Sequence, residues 1–505
     1  MQLQEVVLCS TSSQNPTAGA GAIVIHDIQT GAVLASFKQT NAGPRGVALL
    51  ESRSTQGGFM LAAQSDKSIL NVYNYQKDQL ALKIVLPEKL SCIVVDVRGD
   101  FCAAGTSQGR IYLWEISSGI LYNAWDAHYR AVNVLRFTSD GAALVSGSDD
   151  SGVSVWSVSR LVNEDLQQEL PAPFCTLTDH TLPVTDIVCG LGVFPNCRVL
   201  TASADHSVKV WDLSTKSLLT TFQFPQIISM LAWDTTERFF FAVSAEGSIY
   251  QINMFRQKPR FGGQAIQAVG GLGTNDVVRI DEEYLQSQKK RLIQVGQPVS
   301  AISISLSATW LLVGTASGHI HIYDIPSHQL LRSISAHKGF SITHLQTMMK
   351  PPDLSGHISI DFKVGASADL KDTIPVKSVV PFQRTRDAKA REAHEVLVLL
   401  KDTTYPPPDF GNFYGGDEFL KEHAFFVQPV ANDVPTEVNS VSLQSRVHDL
   451  ENEVEQLRSQ LGKAKGVNDT MWDTVVKRLV DQGKPKESED SEESKRNRKR
   501  GRTGN

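Results

Sequence analysis

A histidine, a serine and an aspartate come together twice in this chain, as His128, Ser148 and Asp150 and again as His180, Ser203 and Asp205. These residue types are the parts of a nucleophilic hydrolase site, in which a histidine takes the serine proton and a carboxylate orients the histidine. A second pattern, "HIHIYD", puts His319 and His321 on one face of a strand and offers two nitrogens to a metal ion. No third ligand lies near them in the sequence, so packed or solvent-facing histidines are expected. The six cysteines, Cys9, Cys92, Cys102, Cys175, Cys189 and Cys197, form no C-x-x-C pair. Several sit in apolar runs such as "LSCIVVDV" and "FCAAGTS", which predicts buried thiols in a reducing compartment rather than disulfides or metal ligands. "GGLGTN" lacks the third glycine and the strand-to-helix setting of a dinucleotide fingerprint, and no G-x-x-x-x-G-K-[ST] occurs. No paired-carboxylate, nucleophile-elbow or Cys-His arrangement stands out. Neither an enzymatic activity nor a cofactor or metal is expected.

The elements that carry the two His/Ser/Asp sets give them another meaning. In "DAHYRAVNVLRFTSDGAALVSGSDDSGVSVWSV", Ser148 and Asp150 are followed by Trp156; after "VTDIVCG" and "RVLTASA", Ser203 and Asp205 are followed by Trp211 in "HSVKVWDLSTKSLLTTF". Both stretches resemble the WD repeat. That resemblance implies that His128, Ser148, Asp150 and Trp156, and His180, Ser203, Asp205 and Trp211, form hydrogen-bond networks tying one blade's strands together, because buried polar groups need such partners. They are not read as catalytic triads.

Weaker copies surround these two. "GVALLES / FMLAAQS / ILNVYNY / LALKIVL" and "LSCIVVD / FCAAGTS / IYLWEIS / ILYNAWD" precede His128, while "ISMLAWD / FFFAVSA / SIYQINM" and "VSAISIS / WLLVGTA / HIHIYDI / LLRSISA" follow Trp211. Each run is short, rich in β-branched residues and bounded by turn formers. A period of about 40 to 45 residues matches four-stranded propeller blades. The N-terminal "EVVLCST", "AIVIHDI" and "VLASFK" supply three strands of a seventh blade. After His337, at the usual His place, residues 341–348 are expected to supply its inner strand and close the ring. The fold class is thus all-β, a seven-bladed WD-repeat β-propeller over residues 1–349. An open solenoid, or six blades plus a hairpin, is the alternative.

Function is more visible where the repeat breaks. Residues 255–291 form an insertion with two basic clusters, Arg256, Lys258 and Arg260, then Lys289, Lys290 and Arg291, which either touch RNA phosphates or line a solvated loop. Residues 350–435 read as an irregular, Pro-containing extension that wraps the propeller or docks onto a partner, with "DFGNFYGGDEF" as its aromatic segment. Over 436–463, Leu443, Val447, Leu450, Val454, Leu457 and Leu461 alternate at spacings of four and three, an a/d seam that predicts a coiled-coil helix. Three heptads are marginal alone, so self-association as a homodimer, helix pairing with another subunit, or folding back on the propeller is implied. A short amphipathic helix is expected at 467–482. The tail, 483–505, turns from acidic to basic and cannot order itself; Lys495, Arg496, Arg498, Lys499, Arg500 and Arg502 suit a nuclear-targeting signal, with a solvated tail or RNA contact as the alternative.

Bulk properties limit the function classes. The 505 residues carry a net charge of -5, with 20% charged and 41% hydrophobic residues, which describes a soluble globular protein and excludes a wholly basic nucleic-acid binder. The N-terminus lacks a signal-peptide pattern, and no run approaches about 18 apolar residues, so neither secretion nor a membrane partner is expected.

"AGPRGVALL" (42–50), "HTLPVTDIVCGLG" (180–192), "ADHSVKVWDLSTKSLL" (204–219), "EGSIYQINMF" (246–255) and "RVHDLENEVEQL" (446–457) together resemble one family, the WD-repeat subunit of the Rix pre-ribosomal complex, involved in pre-rRNA processing. The resemblance implies a noncatalytic nuclear scaffold, in nucleoplasm and nucleolus, that binds other Rix-complex subunits on precursors of the large ribosomal subunit. It further implies support for removal of the second internal transcribed spacer and docking of the midasin-type AAA ATPase. A chromatin, replication-licensing or ubiquitin-ligase adaptor is the alternative that the same ring allows.

Overall fold

The computed structural model describes residues 4–13, 20–38, 40–52, 56–163, 170–260, 263–269, 276–281, 292–355, 376–385 and 437–482. The chain divides into two units, 1–401 and 402–505.

The first unit is a seven-bladed β-propeller of antiparallel sheets. Blade 1 runs outward as Phe340–Met349, Glu5–Ser13, Ala22–Asp27 and Val33–Lys38; blade 2 as Ala42–Leu50, Phe59–Gln64, Ile69–Asn74 and Leu80–Val85. Blade 3 comprises Leu90–Val95, Phe101–Thr106, Arg110–Glu115 and Leu121–Asp126, and blade 4 Val132–Phe137, Ala143–Ser148, Val153–Ser157 and Cys175–Leu177. Blade 5 comprises Val184–Cys189, Arg198–Ser203, Ser207–Asp212 and Ser217–Gln223; blade 6 Ile228–Trp233, Phe239–Ser244, Ser248–Asn253 and Leu292–Gln294; blade 7 Val299–Ile304, Trp310–Thr315, Ile320–Asp324 and Leu330–Ile334. The first strand of each blade touches the first strand of the next, and that of blade 7 returns to Phe340–Met349, so the ring is closed.

Seven apolar clusters fill the gaps between neighbouring blades. This explains why second strands such as "FFFAVS" and "ALVSGS" read as continuous apolar or small runs: every residue in them is buried, because both faces are covered. Glycines occur where the next inner strand crosses closely. A Cβ on Gly147 would lie 2.7 Å from Ile187 Cδ1, and one on Gly314 would lie 2.7 Å from Ile342 Cγ2.

Closure is made by Phe340–Met349, which pairs antiparallel with Glu5–Ser13 from Glu5↔Met349 to Ser13↔Phe340, with one bulge. Ile342, Leu345 and Met348 are buried by it.

Part of the insertion does more than loop out. Phe255–Arg260 and Gly263–Ala268 form a hairpin, and Asp276–Arg279 then adds to blade 5 as a fifth strand, parallel to Ser217–Gln223. Asp276–Arg279 covers an otherwise open sheet edge, while Val278, Val269 and Ile280 pack into the cluster between blades 5 and 6.

In the second unit, Glu437–Gln482 is one helix of 46 residues. The expected boundary between 436–463 and 467–482 is therefore corrected: the helix continues through Gly462 and Gly466. Each interior glycine costs about 1 kcal/mol relative to alanine, a penalty that does not by itself break a long hydrogen-bonded ladder. Among the described residues no helix is long and apolar enough to cross a membrane.

Candidate functional site

The polar nodes come first, because they decide whether the His/Ser/Asp sets are chemical or structural. In blade 5, His180 Nδ1 lies 2.9 Å from Asp205 Oδ2, its Nε2 lies 2.8 Å from Thr201 Oγ1, and Trp211 Nε1–H donates to the same hydroxyl at 2.8 Å. In blade 4, His128 Nδ1 lies 3.1 Å from Asp150 Oδ2 and its Nε2 lies 2.8 Å from Ser146 Oγ, to which Trp156 Nε1–H donates at 3.0 Å. The carboxylate selects the Nδ1–H tautomer, leaving Nε2 to accept from the hydroxyl.

The shared hydroxyl is thus Ser146 or Thr201, not Ser148 or Ser203 as expected. Ser148 Oγ donates to Arg130 O at 3.2 Å and Ser203 Oγ to Leu182 O at 2.8 Å, and each accepts the backbone N–H of its aspartate. Residues two apart share a strand face, so both hydroxyls in "SGS" and "TAS" point the same way. The one deeper in the sheet meets the tryptophan, and the one at the strand end holds the turn.

Burial alone would raise the Asp205 carboxyl, but hydrogen bonds from His180 and Ser207 override it and hold it well below the usual carboxylate range. Burial pushes the His128 imidazole below its ordinary value, against the attraction of Asp150. Ser146 and Thr201 have no exposed surface, so no substrate reaches either hydroxyl.

Two other blades fill the same places differently. In blade 3, Ala104 stands where blade 4 has Ser146, and Trp114 Nε1–H donates instead to Gln383 O at 2.9 Å, with its ring stacked between Tyr112 and Phe382 at 5.2 Å from each. The extension segment 376–385 is held there by Val380 N–H to Ile116 O, by Gln383 N–H to Gly119 O, and by Lys377 Nζ 2.6 Å from Asp100 Oδ1. In blade 1, Val7 pairs with His26 and Cys9 with Val24, the register in which blade 5 pairs Val199 with Trp211 and Thr201 with Lys209. His26 therefore occupies the tryptophan place, Cys9 the hydroxyl place and His337 the histidine place. His26 Nε2 lies 2.7 Å from His337 Nε2, and Cys9 Sγ lies 3.4 Å from it. The sequence pointed to no metal ligands because these three residues are 328 positions apart at the extreme. The signal that could have found them is "VIHD" read as a WD dipeptide with His for Trp.

His319 and His321 stack in parallel with centroids 5.9 Å apart, and among the described residues no third ligand joins them. All six cysteines are free.

At the ring centre, Arg45 of "AGPRGVALL" reaches from the inner strand of blade 2 to that of blade 5, donating to Thr185 O and lying 3.4 Å from the buried Asp186 carboxylate. Asp186 also accepts from Leu231 N–H in blade 6 at 2.8 Å. One arginine thus bridges the channel that a peptide would need.

On the long helix, Leu450, Val454, Leu457 and Leu461 are exposed by 56%, 47%, 56% and 73%, so among the described residues of its unit this stretch of the seam is uncovered; Trp472 is also exposed. Leu443 and Val447 lie on the same helix, with side chains outside the described residues. Arg256, Lys258 and Arg260 lie on the strand Phe255–Arg260, with side chains outside the described residues. Lys289, Lys290 and Arg291, the segment "DFGNFYGGDEF", and the tail residues Lys495, Arg496, Arg498, Lys499, Arg500 and Arg502 lie outside the described residues.

Comparison with known proteins fits this geometry. A family model described as WDR54 matches residues 21–170, and one described as WD domain, G-beta repeat, matches 172–212. Pre-rRNA-processing protein IPI3 of Mycosarcoma maydis is 31% identical over 510 residues, covering 84% of this chain and 86% of its own. The chain belongs to the IPI3 family. Another IPI3 relative, from Yarrowia lipolytica, is 29% identical over 90% of this chain and 97% of its own. WD repeat-containing protein 18 of Homo sapiens is 31% identical over 71% of this chain and 76% of its own. The IPI3 family is the one that the sequence resemblance indicated, and its WD repeats account for the nodes of blades 4 and 5.

Proposed function

We propose that this IPI3-family chain is a noncatalytic scaffold acting in pre-rRNA processing during assembly of the large ribosomal subunit. The observation that carries this reading is the similarity, across the propeller and beyond it, to proteins named for pre-rRNA processing. WD-repeat propellers typically serve as noncatalytic scaffolds, and the two sets of triad residues are consumed by blade networks whose hydroxyls are buried. In finer terms, the chain works in the nucleus with the other Rix-complex subunits, supports removal of the second internal transcribed spacer, and helps dock the midasin-type ATPase on the pre-ribosome.

The part of the seam formed by Leu450, Val454, Leu457 and Leu461 is the helix-pairing surface in this reading, because exposed apolar residues in heptad spacing call for a second helix. Copurification of the tagged chain with large-subunit precursors, and accumulation of spacer-containing precursor RNA on its depletion, are the expected results. Recovery of histones or cullin subunits without pre-ribosomal particles would replace this reading with the adaptor one. Static light scattering on the chain with and without residues 436–505 checks the helix: self-association predicts a mass per particle that falls to one chain on truncation.

A further inference from the structure

Blade 1 holds a polar node unlike those of blades 4 and 5. Cys9 Sγ, His26 Nε2 and His337 Nε2 all lie within 4.8 Å of one another. Cys9 and His26 are fully buried, and His337 is partly exposed.

The hydrogen-bond bookkeeping in this triangle does not close. His26 Nδ1 faces the Gly31 carbonyl at 3.2 Å, which requires a proton on Nδ1 and leaves a lone pair on Nε2. His337 Nε2, 2.7 Å away, must then carry a hydrogen to donate to it. Once it does, it cannot also accept from the Cys9 thiol at 3.4 Å. Three electron-pair donors therefore converge on one point, where the His337 hydrogen serves the His26 lone pair and the Cys9 thiol hydrogen finds no acceptor among the three. A cation at that point would satisfy all three.

We propose that Cys9, His26 and His337 form a zinc(II) site that ties the two ends of the propeller chain together within blade 1. The donor set, one sulfur and two imidazole nitrogens, is the borderline-soft set that zinc prefers. The Gly31 carbonyl supplies the outer-shell hydrogen bond that metal-binding imidazoles typically make. Tetrahedral bonds of about 2.0–2.1 Å to nitrogen and about 2.3 Å to sulfur place two nitrogens about 3.3 Å apart and nitrogen and sulfur about 3.5 Å apart. The Cys9–His337 separation already matches, and the two imidazoles need to part by roughly 0.6 Å. That movement is available to His337, which precedes the strand Phe340–Met349 in a turn and is not enclosed. Its exposure also lets water complete the fourth position.

The proton balance is simple. Burial keeps Cys9 a thiol in the absence of the ion, with its pKa pushed up to about 12, so binding releases the thiol proton to solvent as the Zn–S bond forms. His337 moves its proton from Nε2 to Nδ1 with no net change. Because His26 and Cys9 belong to the N-terminal hairpin and His337 to the closing segment, the ion would cross-link the seam of the ring.

The test uses the full-length chain, stripped with a chelator and titrated with cobalt(II) as a spectroscopic stand-in for zinc. Expected is a thiolate-to-cobalt charge-transfer band that saturates at one equivalent, disappears when zinc is added, and is absent from Cys9→Ser. Zinc should raise the melting temperature of the wild-type chain by several degrees and leave Cys9→Ser and the double variant Cys9→Ser/His26→Trp unmoved. These changes install the hydroxyl, or hydroxyl and indole, that blades 4 and 5 carry, so Cys9→Ser in particular should preserve the fold. Absence of the band from folded wild-type protein, an equal band in Cys9→Ser, or the same zinc-dependent shift in wild type and variants would overturn the site.

Discussion

Blades 5 and 1 occupy equivalent places in the ring and solve the same packing problem with different materials. Blade 5 joins its strands through His180, Thr201, Asp205 and Trp211, with the histidine and the hydroxyl 21 residues apart. Blade 1 uses His337, Cys9 and His26, with histidine and thiol 328 residues apart. On the scaling of loop-closure entropy with length, the longer separation costs about 2 kcal/mol more to close. Blade 1 offsets this with a ten-residue strand that buries Ile342, Leu345 and Met348, where blade 5 relies on contiguous chain and one hydrogen-bonded node. A local node can be built from weak pieces; a joint between chain ends needs a whole strand.

The contrast is broken most directly by deleting residues 340–349. Three buried apolar side chains, each worth about 2–5 kcal/mol, go with the strand, against a typical total stability of about 5–15 kcal/mol. The melting temperature should fall by many degrees or the cooperative transition vanish in calorimetry, and an unchanged transition would show that the ring does not depend on this closure. Next in size is Trp211→Ala in blade 5, which removes both the indole packing and the donor to Thr201; a loss of about 3–5 kcal/mol is expected in denaturant titration.

Phe382→Ala tests the third solution, that of blade 3. Because segment 376–385 can lift off without opening the ring, the loss is limited to about 2–3 kcal/mol from burial of one aromatic ring, and protease nicking near 376–385 should accelerate. The smallest effect concerns pH. The Asp205 carboxyl is held below its unfolded value of about 3.9, so its contribution is present above that pH and lost as pH falls through the range beneath it. Asp205→Asn should lower stability at neutral pH and flatten the acid limb of the stability curve relative to wild type. A variant that keeps the wild-type slope below about pH 4 would assign the acid sensitivity to other carboxylates.

The repeat was legible in the sequence because a blade is a local object: four short strands, their turns and the His, Asp and Trp of a node recur within one period, and side-chain alternation fixes which of them face together. The seven blades, the heptad spacing and the structural use of the His/Ser/Asp sets follow from such local pattern. The choice between Ser146 and Ser148, or Thr201 and Ser203, was not legible, since both hydroxyls share a face and only the depth of the tryptophan in the sheet selects one. Nor could the sequence place Asp276–Arg279 on blade 5, seat Phe382 on Trp114, or carry Arg45 across the channel to Asp186. Each depends on which edge, ring or carboxylate lies nearby after the ring has closed. The sequence by itself determined the repeating unit and the residue types at its node; tertiary structure alone decided that Cys9, His26 and His337 meet, because they share no local pattern until the two ends of the chain pair in one blade.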